Sequence, residues 1–149
     1  MGCGLSTLTI EDMKQGAGFS FEQRITEDMI DQFTALSGDC SSLHVDSAFA
    51  RKRGFAKRVA HGALLTALIS RLIGVHLPGQ NALLLSLNLR FSAPTYGGDE
   101  VRVTGAVDQI SLATRTVIFK VAIENIATGL QLVAGKAHVA FTQELAKED

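Results

Sequence analysis

Cysteine is scarce in this sequence: Cys3 and Cys40 are the only two, one near a terminus and one in an expected loop, with no CxxC pair. Such spacing offers no zinc-ligand pattern, and reducing, cytoplasmic conditions are the simplest expectation. An excess of charge is missing too. A formal net charge of −1 gives no electrostatic reason to expect nucleic acid or an acidic surface as partner. The first 14 residues have neither a basic start nor a sustained apolar run, so no secretory signal is expected. The longest apolar stretch, residues 59–77, is interrupted by His61, Ser70, Arg71 and His76, which argues against a membrane span. Internal repeats, low-complexity segments and long linkers are also absent. What remains is a chain of 149 residues, 46% hydrophobic, the size of one domain with one core. Residues 1–149 are therefore read as a single domain, with 1–14 a loosely ordered lead-in. Within that lead-in, Met1-Gly2-Cys3-Gly4-Leu5-Ser6 fits the short N-myristoylation pattern, for which a disordered terminus is the simpler account.

The periodicity changes along the chain. Residues 18–25 read as a strand, and Thr26 followed by Glu27 and Asp28 supplies a helix N-cap with an acidic first turn. Met29, Ile30, Phe33 and Leu36 recur at helical spacing until Gly38 stops the helix, leaving Asp39 just beyond its end. Residues 41–58 are polar and punctuated, with a short helix expected at 46–53. Residues 60–77 are apolar on nearly every face, as in a helix buried on all sides, and Pro78-Gly79 ends them. Residues 83–91, 100–110, 115–126 and 130–141 then alternate or run apolar, and read as four strands joined as an antiparallel meander. The expected class is α+β, with a strongly curved sheet wrapped around the central helix and an open edge that invites dimerisation.

Chemistry is carried by few residues. Asp39 and His44 could act as a general acid/base pair on water. On the residues alone, an Asp after Gly is equally a turn residue and a His before Val-Asp equally structural. His61-Gly62 opens the apolar helix, whose N-terminal N–H groups and dipole would stabilise an anionic oxygen, with glycine permitting close approach. Close packing of the helix start explains the same glycine. Cys40 has no second base beside it and reads as a small filler. His76 and His138 read as structural or exposed.

The order of these motifs is specific. Phe33-Thr34-Ala35-Leu36-Ser37-Gly38-Asp39 through His44-Val45-Asp46 resembles the hydratase 2 motif of MaoC-like (R)-specific enoyl-CoA hydratases. Ala60-His61-Gly62, Leu77-Pro78-Gly79, Phe91-Ser92-Ala93-Pro94 and Gly98-Asp99-Glu100-Val101 follow in that family's order, so the resemblance spans residues 21–141. It implies a hot-dog fold, a homodimer, and reversible addition of water to a trans-2-enoyl thioester to give the (R)-3-hydroxyacyl product. It further implies Asp39 and His44 as the residues that activate water, the Gly62 N–H as oxyanion donor, Ser41, His61 and Ser70 as supports, and no metal or other cofactor. Coenzyme A or an acyl carrier protein's phosphopantetheine would belong to the substrate. Arg51, Lys52, Arg53, Lys57 and Arg58, just before His61, would suit its phosphates, although such a cluster is also an ordinary solvated face. Ser41-Ser42 stands where the family typically has Asn-Pro, which puts rate in doubt more than reaction type. Two rivals stay open. A hot-dog thioesterase would draw a carboxylate from the central helix, and residues 62–77 contain no Asp or Glu. A non-catalytic acyl-thioester binding module would tolerate the altered loop.

Overall fold

A computed structural model describes residues 3–144. The first helix forms where its cap dictates. The Thr26 hydroxyl accepts the Met29 N–H at 3.1 Å, and helix α1 (Glu27–Ser37) follows with Glu27 and Asp28 in its first turn. Gly38 closes it in the left-handed conformation, φ 76°, donating its N–H to the Thr34 carbonyl at 2.9 Å. Two short helices come next, α2 (Ser42–Val45) and α3 (Ser47–Lys52), then the central helix α4 (Gly62–Arg71), which runs on as a π-helical turn over Leu72–His76. Helix α3 lies inside the expected span and is capped by Asp46, whose carboxylate accepts the Phe49 N–H. Helix α2 has no counterpart in the sequence reading.

The strands are β1 (Gly18–Arg24), β2 (Ala82–Phe91), β3 (Glu100–Ser111), β4 (Thr116–Asn125) and β5 (Gln131–Phe141), each end within one residue of expectation. Their arrangement corrects the meander. The single antiparallel sheet has the order β1-β3-β4-β5-β2, so β2 pairs with β5 at one edge instead of with its successor β3. Gly97-Gly98-Asp99 is accordingly not a hairpin turn. It belongs to a crossover, residues 92–99, that meets the end of β1: Gly98 N–H donates to Ile25 O at 2.6 Å, and Ile25 N–H to Asp99 O at 2.8 Å. The crossover is tied to the α4 entry as well, through Ala60 N–H to Thr95 O at 2.8 Å and a bridge between Val59 and Tyr96. Tyr96, the only tyrosine in a chain without tryptophan, accepts the Ala56 N–H on its hydroxyl.

The sheet curls because bulges interrupt three of its pairings, at Leu84/Ser86, Val107/Gln109 and Ile123/Glu124. Val101, Val103, Val107, Phe119, Val121, Ile123 and Val139 face inward onto Leu65, Leu68, Ile69 and Leu72 of the helix, forming one core. Leu72 and Phe119 are wholly buried, and each such side chain contributes about 1.5–3 kcal/mol by leaving water. Contact is so close that a Cβ on Gly105 would lie 2.7 Å from Leu72 Cδ2, so any larger residue there has to push that buried side chain aside. Burial of α4 is incomplete, however. Ala63, Ala67 and Ser70 face outward, so one stripe of the helix is left uncovered by the chain's own sheet.

The lead-in also differs from expectation. Ser6 N–H donates to Val75 O, Leu8 N–H to Pro78 O, and Gln80 N–H to Ser6 O. Ile10, in a short 3-10 turn capped by Thr9 and Asp12, is 1% exposed. Backbone pairing and the buried side chains of Ile10 and Met13 therefore hold a segment whose polarity suggests looseness. The lipidation pattern begins at Met1 and Gly2, which lie outside the described residues; Cys3 is exposed. Among the described residues no helix is long and apolar enough to cross a membrane.

His76 closes the π turn by stacking on Phe19, ring centroids 4.5 Å apart, with Nε2 buried and unpartnered. Burial, and secondarily the nearby Arg71 charge, lower its pKa below the ordinary value. The unfolded chain then takes up the proton first, so stability is complete above the ordinary histidine value and falls as pH drops below it. His76→Phe should flatten that fall. Thermal midpoints at about pH 7.5 and about pH 5, either side of the ordinary value of about 6.5, should drop further in wild type than in the variant, and equal drops would contradict the assignment.

Candidate active site

The site grows out of the end of α1. Because Gly38 turns the chain sharply, Asp39 emerges with its N–H on Ser37 Oγ at 3.1 Å, while the Ser37 hydroxyl itself donates to Phe33 O at 2.7 Å. Asp39 Oδ1 accepts the Ser41 N–H at 3.3 Å, an Asx turn that leaves Oδ2 free. The single turn of α2 then lifts His44 back over the carboxylate, with Nε2 3.8 Å from Oδ2. The Asp39 side chain is half exposed, that of His44 only 16% exposed.

The tautomer of His44 follows from its other nitrogen. Nδ1 lies 2.7 Å from the Val59 carbonyl, which can only accept, so Nδ1 carries the proton and the neutral ring turns a bare lone pair toward Asp39. Val59 N–H returns a bond to Leu43 O at 3.0 Å, so two hydrogen bonds fix the α2 turn to the strand-like entry of α4. Two acceptors thus face each other across a gap too long for a direct hydrogen bond. A molecule with two O–H donors fits between them at about 2.8 Å from each.

His61 and Gly62 complete the site. His61 is 1% exposed, stacks on the His44 ring with centroids 4.1 Å apart, and places Nε2 3.0 Å from the Asp39 carbonyl. Gly62 begins α4, where the first N–H groups have no helical acceptor. A Cβ there would come 3.2 Å from the Phe91 ring, so a side chain would crowd the space in front of those N–H groups. His44 and Gly62 open on one cavity of about 370 Å³, whose wall is mostly apolar, with Leu43, Phe55, Leu65 and Phe91, and includes Ser92 and Thr95. Ligand atoms of Asp39, His44 and His61 lie within 4.8 Å of one another. Their arrangement suits hydrogen bonding better than metal ligation, because lone pairs lie in the ring planes and stacked rings run them side by side instead of converging.

Asp39, His44, His61 and Gly62 therefore come together, and other expected residues do not join them. Ser41 contributes its backbone N–H, with no hydroxyl contact to Asp39. Ser70 lies about 12 Å further along the helix axis at 1.5 Å per residue, exposed beside Leu83 and Leu84, and within one chain it supports neither partner. Nor does it bond back to the preceding turn; it is Thr66 whose hydroxyl donates to Gly62 O. The basic cluster is divided. Arg58 is committed to Asp31 at 2.6 Å and Glu27 at 2.7 Å, which hold its pKa above the ordinary value, and Lys57 to Gly97 O at 2.6 Å. Arg53 lies over the Phe49 ring, while Arg51 and Lys52 are exposed on the last turn of α3. The Val59 carbonyl, Thr34 and Phe91 were missed as site groups. The extended pattern at Val59-Ala60 just before a helix was the one available signal, since neither a carbonyl nor a ring position announces itself in sequence.

The domain pattern described as MaoC like matches residues 10–142, and the chain belongs to that family, with its hot-dog fold. It is 38% identical over 126 residues, 79% of this chain and 88% of that protein, to an (R)-specific enoyl-CoA hydratase of Rhodospirillum rubrum. An (R)-specific enoyl-CoA hydratase of Aeromonas caviae is 34% identical over 113 residues, 73% of this chain and 84% of that one. The structure of R-hydratase PhaJ1 from Pseudomonas aeruginosa, unliganded, superposes with a TM-score of 0.83 at 32% identity, covering 95% of this chain and 93% of that one.

Ser41-Ser42, where the family resemblance leads one to expect Asn-Pro, has a direct test. Ser41 lies at φ −59°, ψ 144°, a conformation that tolerates a following proline, and Ser42 is the first residue of α2, where proline is accommodated. Ser42→Pro should stabilise the protein by about 0.4–1 kcal/mol through the unfolded chain. Denaturant midpoints should rise at unchanged slope, and a fall would show that the loop geometry rejects proline.

Proposed function

We propose that this protein is an (R)-specific enoyl-CoA hydratase, adding water reversibly to trans-2-enoyl thioesters to give (R)-3-hydroxyacyl thioesters. The observation that carries the reading is the pair of facing acceptors, Asp39 Oδ2 and His44 Nε2, 3.8 Å apart and beside an apolar cavity that also receives the N-terminus of α4. A water held there donates one O–H to each acceptor and keeps a lone pair for attack. As its oxygen bonds to C3, the C2–C3 π electrons move toward the thioester, and the Gly62 N–H stabilises the negative charge gathering on the carbonyl oxygen. Asp39 takes the proton released by the water and returns it to C2, so atoms and charge balance and no redox partner is needed. Dehydration is the same path reversed. Every step uses side chains and backbone of this chain, and we assign no metal or other cofactor. Of the basic residues, Arg51 and Lys52 remain available for the phosphates of coenzyme A or of a carrier protein's phosphopantetheine. A cytoplasmic setting agrees with two free, exposed cysteines.

Asp39→Asn tests the pair. Followed by loss of enoyl-thioester absorbance on crotonyl-CoA and a longer trans-2-enoyl-CoA, the variant should lose about 10²- to 10⁴-fold in kcat, and chiral analysis of the wild-type product should give the (R) alcohol. A folded wild type that turns over neither substrate, nor the carrier-protein thioester, would move the reading to an acyl-thioester binding module.

The protein acts as a homodimer in this reading, paired through the open edge of β2. That strand is outermost, and Leu83, Leu84 and Leu85 are 55%, 37% and 50% exposed. An apolar edge of this kind is a template for a second chain. Leu85→Lys should shift the sedimentation behaviour from dimer toward monomer, and an unchanged dimer would put the interface elsewhere.

A further inference from the structure

We propose that His61 is a positioning residue for the Asp39–His44 pair, locked in the Nε2–H tautomer, opposite to that of His44. The catalytic part of this proposal rests on the hydratase reading; its geometry does not. Two atoms face His61 Nε2: the Asp39 carbonyl at 3.0 Å and Thr34 Oγ1 at 3.3 Å. The Thr34 hydroxyl has already given its proton to Ile30 O at 3.0 Å, so both are acceptors and Nε2 must be the donor. The neutral ring then has a bare Nδ1, which is buried without a partner. A sealed, unsatisfied ring nitrogen is costly, and a carbon ring of the same shape would avoid it. What the imidazole provides in return is the N–H on Asp39.

That bond matters because Asp39 has few other ties. Its N–H and Oδ1 contact Ser37, at the end of α1, and Ser41, both within two residues of it in sequence. Among the described residues, the His61 bond is the one hydrogen bond that connects Asp39 to the α4 side of the site, where Gly62 lies. The same ring packs against Phe33 at 4.8 Å and stacks on His44 at 4.1 Å with planes 28° apart. One buried side chain therefore sets the height of the carboxylate by its edge and the tilt of the imidazole by its face. A misplacement of about 1 Å in such a constellation can lower the rate about 100-fold.

Two variants separate edge from face. His61→Phe keeps a ring beneath His44 and removes the donor; His61→Gln keeps a donor and removes the ring. His61→Phe should fold and lose about 10- to 100-fold in kcat with KM changed less than about 3-fold, and His61→Gln should recover part of that loss. A purely structural His61 would instead lower the thermal midpoint while leaving kcat per folded molecule unchanged, which overturns the proposal. Two readouts do not need turnover. Ring 15N–1H correlations of the wild type should show His44 as Nδ1–H and His61 as Nε2–H, and a shared tautomer overturns the assignment. Amide exchange at Asp39 and Cys40 should rise about 10-fold or more in His61→Phe as the loop loosens, and unchanged exchange overturns it. If the wild type hydrates no thioester while these two readouts hold, the hydratase reading fails and the positioning role stands.

Discussion

A helix that is apolar around most of its circumference must be surrounded, and one short sheet can do that only by curling. Helix α4 imposes this constraint. The bulges of β2, β3, β4 and β5 bend the sheet around Leu65, Leu68, Ile69 and Leu72, and β2 is carried to the far edge beyond β5 so that both flanks are covered. Taking β2 there forces a crossover to return to β3, and residues 92–99 make it by passing the entry of α4. The cavity wall is thus a by-product of enclosing the helix. Ala60 binds the crossover at Thr95, Val59 bridges Tyr96, and the first turn of α4 opens on the space left between.

Chemistry is concentrated where three independent chain reversals meet: the end of α1 at Gly38, the single turn of α2, and the start of α4. None of them alone makes a site. The α1 end supplies a carboxylate with one oxygen anchored and one free; α2 supplies an imidazole whose proton is drawn to Val59; α4 supplies unpaired N–H groups. The carboxylate and the imidazole are each tied to backbone, at the Ser41 N–H and the Val59 carbonyl, so the site depends on the loop before α4 being held in place. That dependence explains the divided basic cluster, since Arg58 and Lys57 serve to clamp the loop before α4 onto Glu27, Asp31 and Gly97.

Local signals were legible in the sequence. Thr26 and Gly38 mark both ends of α1, Asp46 caps α3, and period-two patterns give every strand to within a residue. Pairing was not legible, because alternation says that a segment is a strand and nothing about its neighbour; hence β2 was joined to β3. Helix α2 is too short for any period to register. Asp39, His44, His61 and Gly62 can be picked out because the motif order marks them, whereas what Ser70 meets within one chain is decided by its direction around the helix, which motif order does not carry. The lead-in is similar: its backbone bonds to Val75 and Pro78 leave no trace in composition.

One further consequence concerns light. With no tryptophan to absorb its excitation energy, the single tyrosine dominates near-ultraviolet emission, and Tyr96 happens to lie in the crossover beside the cavity, its hydroxyl accepting the Ala56 N–H and its backbone lying opposite Val59 in an isolated bridge. The native chain therefore contains its own fluorophore one residue beyond Thr95, which lines the cavity. Movement of that wall registers as a change in tyrosine intensity or lifetime, without a label and without background from the rest of the fold.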